Sequence, residues 1–168
     1  KFGNKSNTFI TLKRPQNISI EKNYSSLNPT LINVKNNENN VALIFGIEKY
    51  EETFPAAFAS NDALYFSDFV QNSFGVPKKN IKLLTNDKAS RTPLLKIFTK
   101  WLPKVVEENK TNIYLFYSGH GLASEDGEDL YLLPSDGDPD ILKETTLLRS
   151  WIFKKETTCW EKLIPGIL

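Results

Sequence analysis

From Val41 onward the chain alternates short unbroken apolar runs with longer stretches whose apolar residues recur every three or four positions. Val41-Ala-Leu-Ile-Phe-Gly-Ile47 is an unbroken run of strand length. Ser60-Asn-Asp62 then opens a helix-period segment carrying Leu64, Phe66, Phe69 and Val70, with Ser60 or Asn61 as its cap and Gly75 followed by Pro77 as its stop. Asn80 to Thr85 predicts a second strand. Ser90 precedes a second helix with Pro93 in its first turn and Leu94, Leu95, Ile97, Phe98, Trp101 and Leu102 on a wide apolar face. Pro103 is expected to kink or end that helix, leaving Val105 and Val106 in a further turn. Ile113, Tyr114, Leu115, Phe116 and Tyr117 predict a third strand buried on both faces. Strand, helix, strand, helix, strand in this order implies a doubly wound α/β domain with a parallel sheet and its loops gathered at the carboxyl edge.

The third strand ends in Ser118-Gly-His-Gly121, which places His120, the only histidine, at that carboxyl edge. Gly119 and Gly121 remove bulk on both sides of the ring and free backbone N–H groups to face a ligand, an arrangement suited to proton transfer beside an oxyanion. A turn histidine of purely structural use is the competing interpretation. No G-x-G-x-x-G follows the first strand and no G-x-x-x-x-G-K is present, which disfavours dinucleotide and P-loop sites. Ser118 lacks the G-x-S-x-G elbow that a hydrolase serine would need.

Composition narrows the picture. The chain has 168 residues, enough for one α/β domain, and a net charge of +1 without a basic patch, so neither a nucleic-acid nor a membrane partner is expected. No run approaches the eighteen apolar residues of a membrane span. One cysteine, Cys159, excludes an intrachain disulfide and a cysteine-based zinc site and fits a reducing compartment such as the cytoplasm. Residues 1–39 differ from the rest, ten of the first forty residues being asparagine, and are expected to form an extension or linker. Phe9 to Leu12 and Ile18 to Ile20 offer an edge strand at most. The sequence opens on Lys1 rather than methionine, which leaves room for a removed upstream segment.

Four pieces together resemble the caspase-like cysteine peptidases: the family of caspases, metacaspases, paracaspases and bacterial relatives. They are Val41 to Tyr50, Asn61-Asp-Ala63, Ala89-Ser-Arg-Thr92, and Tyr117-Ser-Gly-His-Gly121 with Tyr131-Leu-Leu-Pro-Ser-Asp136 after it. The resemblance runs to about residue 150, and residues 151–168 depart from it, so the domain is expected over 40–168 with an atypical end. It implies a three-layer caspase-like fold, a mostly parallel sheet flanked by helices and incomplete at the C-terminus.

It also implies an endopeptidase in which His120 pairs with a cysteine thiolate and the Gly121 N–H helps hold the oxyanion. Asp62 matches the metacaspase aspartate that lines the specificity pocket and selects arginine or lysine. Caspases that cut after aspartate carry an arginine shortly before this position, and Glu51 to Ser60 contains none. A peptide or protein substrate is therefore expected, cut after a basic residue bound by a buried carboxylate. Without the resemblance, Asp62 is a first-turn aspartate favoured by the helix dipole.

The nucleophile departs from the family pattern. The family carries a D-x-C-x-S-G type sequence after an apolar strand, with the histidine about 50 residues upstream in caspases. Cys159 lies 39 residues after His120, within Lys154 to Trp160, with no apolar strand before it and no small-residue turn behind it. The nucleophilic segment is therefore expected to be missing, which would expose a sheet edge open to a partner chain or a second copy. A non-catalytic binding or regulatory module is the alternative.

Some metacaspases need calcium, and Asp136, Asp138 and Asp140 offer D-x-D-x-D spacing after the acidic stretch Glu125 to Asp129. The glycine and glutamate of an EF-hand loop are absent, and a solvated loop without metal is the expectation.

Overall fold

The computed structural model describes residues 33–152. Residues 1–32, where the two short edge-strand segments were placed, and Cys159 lie outside the described residues.

β1 (Asn40–Gly46) is the buried centre of a three-stranded parallel sheet of order β2-β1-β3, with β2 at Ile81–Thr85 and β3 at Asn112–Ser118. Its side chains alternate between two cores, as period-two geometry requires. Ala42 and Ile44 meet Ala63 and Val70 of α1 (Ala59–Ser73) on one face. Val41, Leu43 and Phe45 meet Leu94, Phe98 and Leu102 on the other. Helices on both faces of a parallel sheet make the three layers expected from the strand–helix order.

Gly46 marks the closest approach of sheet and helix. A Cβ there would lie 2.4 Å from both the Ala59 carbonyl oxygen and the Ala63 Cβ, so only glycine lets the start of α1 rest on the end of β1.

The second helical stretch is interrupted where Pro103 foretells it. α2 (Arg91–Lys96) passes into a π turn over Ile97–Trp101, in which the Leu102 N–H reaches the Ile97 carbonyl, and α3 (Leu102–Val105) restarts with Pro103 in its first turn. The wider turn accommodates a residue that has no N–H to give.

A small antiparallel sheet follows, β4 (Gly121–Ala123), β5 (Leu130–Leu132) and β6 (Leu147–Leu148) in spatial order. α4 (Leu142–Thr145) precedes β6 and α5 (Arg149–Ile152) follows it. Ile152 is buried in the larger core and Trp151 meets Phe98 edge-on at 5.7 Å, so the chain still packs on the domain at the last described residues.

Two expectations need correction. β3 is only partly buried, with Asn112 and Ile113 exposed, because among the described residues it forms one margin of the sheet; the fully buried strand is β1. An apolar run cannot by itself tell a central strand from a marginal one. Neither Ser60 nor Asn61 caps α1: the helix begins at Ala59 after Phe58 in the left-handed region, and the Ser60 hydroxyl donates instead to Glu48 at 2.6 Å. Ser90 does stand before α2, yet its side chain makes no cap. The Arg91 N–H is taken by the Asp136 carboxylate at 2.7 Å, from the turn that follows β5. Gly75, at φ 63, ends α1 as expected.

Candidate active site

The loops at the carboxyl end of the parallel sheet converge on His120. β3 delivers Ser118, Gly119 and His120 in succession, and the connection from β1 to α1 passes over them. The Nε2 of His120 stands 2.9 Å from the Phe54 carbonyl oxygen. A carbonyl only accepts, so Nε2 carries the proton and Nδ1 keeps its lone pair in the neutral ring. The Phe54 ring packs edge-on to the imidazole at 4.8 Å while remaining 72% exposed, and Tyr50 lies against it at 4.8 Å.

The backbone of His120 is held just as closely. Its N–H donates to the Tyr50 hydroxyl at 2.8 Å. Its carbonyl accepts from the Leu133 N–H at 3.0 Å and from the Tyr117 hydroxyl at 2.9 Å. Tyr117 also donates to the Leu133 carbonyl at 2.8 Å. Burial pushes the Tyr117 hydroxyl far above its ordinary range, with the adjacent Tyr50 adding to the shift; burial also raises Tyr50.

Both phenols are therefore neutral in the folded protein where an unfolded tyrosine would ionise. Because their folded values are raised, the stability they contribute is complete below an unfolded value of about 10 and falls as pH rises beyond it. Alkaline unfolding followed by circular dichroism is expected to steepen above about pH 10. Tyr117→Phe is expected to make that decline shallower. An unchanged slope would show that Tyr117 does not set it.

Gly121 opens β4 opposite Leu132. The direct bond between Leu133 and His120 makes their register position the hydrogen-bonded kind, so the neighbouring Gly121/Leu132 position is the other kind, with the Gly121 N–H turned away from β5. Asp62, in the first turn of α1, accepts from the Ser118 hydroxyl at 3.2 Å, two residues before His120. It is solvent-exposed, not the buried carboxylate expected.

His120, Gly121 and Asp62 thus share one end of the sheet. Cys159 lies outside the described residues, which contain no other cysteine. Tyr50 and Tyr117 were inside the quoted motifs but unassigned; their signal was a hydroxyl-bearing aromatic beside a glycine-flanked histidine. Phe54 acts through its carbonyl and left no side-chain signal.

The acidic loops point elsewhere. Asp136 caps α2, Asp138 accepts from the Asp140 N–H at 2.8 Å, and Asp126 accepts from Glu128 N–H and the Ser124 hydroxyl. Among the described residues no group of three or more His, Cys, Asp or Glu side chains could hold a metal ion.

A family model described as the caspase domain matches residues 39–157, most of the chain. The chain belongs to the caspase-domain family. A search of curated proteins finds no match. Membership places the domain among cysteine peptidases, and the parallel three-stranded sheet with helices on both faces is consistent with a caspase-like fold. The match begins at residue 39, one position before β1, and extends past α5.

Proposed function

We propose that this caspase domain serves cysteine-dependent cleavage of peptide bonds after arginine or lysine, with His120 as the proton-transfer group. The observation that carries this is the imidazole held by the Phe54 carbonyl through Nε2, which leaves Nδ1 as the base. In the reaction Nδ1 takes the proton from a cysteine thiol, and the thiolate attacks the scissile carbonyl. The Gly121 N–H, turned out of the β4–β5 ladder, supplies a donor for the oxyanion. Nδ1 then returns the proton to the departing amine, leaving a thioester that water hydrolyses. Asp62, bonded to Ser118 two positions before His120, takes the guanidinium or ammonium group of the substrate.

The thiol is assigned to a D-x-C type segment outside this sequence, since the sequence around Cys159 has neither the preceding apolar run nor the following small residues of the family pattern. Peptides ending in arginine, lysine or aspartate test the site without a nucleophile. The arginine and lysine peptides are expected to move the imidazole signals of His120 and the amide of Gly121 in NMR titrations; equal response to all three would overturn the assignment. A turnover assay adds the catalytic arm. Any cleavage after arginine should disappear in His120→Ala, and its persistence would remove His120 from the mechanism. Loss of cleavage in Cys159→Ala would return the nucleophile to this chain.

A second reading rests on the missing cysteine pattern together with the unpaired margin of β3 among the described residues. In it the domain is a non-catalytic module that binds an active relative. Association with an intact caspase-domain peptidase, without gain of cleavage from His120, would favour it.

A further inference from the structure

The antiparallel ladder between β4 and β5 is opened at one register position by two phenols. On one side of the His120/Leu133 pair the ladder bond is ordinary, Leu133 N–H to His120 carbonyl at 3.0 Å. On the other side the partners that should meet directly, His120 N–H and Leu133 carbonyl, each bond a tyrosine hydroxyl instead. The His120 N–H donates to Tyr50 Oη at 2.8 Å, and Tyr117 Oη donates to the Leu133 carbonyl at 2.8 Å.

The direction of each bond is fixed by its backbone partner. An amide N–H can only give and a carbonyl can only receive, so Tyr50 accepts from His120 and Tyr117 donates to the carbonyls. The Tyr117 proton is shared between the carbonyls of Leu133 and His120.

Gly119 is what makes room. A Cβ at this position would stand 2.4 Å from Tyr50 Oη and 3.0 Å from Tyr117 Oη. The glycine before the histidine therefore serves the hydroxyl pair as well as the turn.

We infer that Tyr50 and Tyr117 are positioning residues that set the direction and tautomer of the His120 imidazole. Because the carbonyl side of the pair stays closed while the N–H side is spread by two hydroxyls, His120 pivots about its carbonyl, and the same Tyr50 ring that accepts its N–H forms a wall of the imidazole. The pivot presents Nε2 to the Phe54 carbonyl. Without Tyr50 Oη the His120 N–H is free to close directly on Leu133, and the ring turns from Phe54.

The inference rests on the reading of His120 as the proton-transfer group, but its test needs no turnover. His120 is the only histidine, so long-range proton–nitrogen NMR of the full chain reports this one ring. Wild type is expected to show the Nε2–H tautomer in its neutral form. Tyr50→Phe and Tyr117→Phe are each expected to lose that preference, giving averaged ring nitrogen shifts in a folded protein. Tyr114→Phe, a hydroxyl loss in the core beneath α1, should leave the ring signals as in wild type.

Folded Tyr50→Phe with unchanged ring nitrogen shifts would overturn the inference. Should Tyr117→Phe not fold, Tyr50→Phe and Gly119→Ala decide alone, the latter by displacing the Tyr50 hydroxyl. A wild-type ring in the right tautomer that cleaves nothing with any nucleophile segment would sink the proposed peptidase function and leave the positioning intact.

Discussion

Gly46→Ala is expected to lower the melting temperature by about 4–12 °C. The added Cβ would stand 2.4 Å from the Ala59 carbonyl oxygen and from the Ala63 Cβ, both part of α1. Neither is the end of a flexible side chain, so the helix itself must move. Overpacking of this kind costs about 1–3 kcal/mol. At about 4 °C per kcal/mol for a domain near this size, that gives the stated range.

Gly127→Ala is the informative contrast. Nothing lies within 4 Å of a Cβ there, but its φ of +75 lies where side chains are rarely found. The cost is then the backbone term alone, about 1–2 kcal/mol. A thermal melt of Gly46→Ala matching wild type would show that α1 does not rest on Gly46 as described. The function should suffer with the fold, because the turn of α1 that would be displaced carries Asp62.

The elements most legible in the sequence were those fixed by local pattern. An unbroken run identified β1, helical spacing identified α1, and a glycine in the left-handed region ended it at Gly75. The place of His120 was legible for a related reason: a glycine-flanked turn directly after an apolar run puts it at the carboxyl edge of the sheet. The features that escaped depend on residues far apart in the chain. The Asp136 cap on α2 joins positions 45 residues apart, and the Tyr50 contact with the His120 N–H spans 70. No spacing rule connects them, and a backbone acceptor such as Phe54 carries no signature at all. The partial burial of β3 escaped because its composition is that of a central strand while its neighbours set its exposure.

Asp62→Ala is expected to weaken binding of an arginine-ended peptide by about 30-fold while aspartate-ended peptides are unaffected. Asp62 begins exposed, with one oxygen taking the Ser118 hydroxyl at 3.2 Å. An exposed ion pair contributes at most about 1 kcal/mol because solvent screens it. A bound peptide changes that condition. Its backbone would run past His120, beside the exposed Phe54 ring that packs on the imidazole, and would cover the carboxylate as it settles. Removing one partner of a covered, hydrogen-bonded charge pair costs about 2–5 kcal/mol. Starting from an exposed carboxylate, the lower end applies, and about 2 kcal/mol corresponds to roughly 30-fold in affinity. Asp62→Asn separates charge from shape, since it keeps an acceptor for Ser118 and loses only the charge. If charge recognition is the role of Asp62, calorimetric titration should find Asn nearly as weak as Ala for arginine. Wild-type affinity in Asp62→Ala would instead leave this aspartate a first-turn residue stabilised by the helix dipole, and the basic preference would need another acceptor.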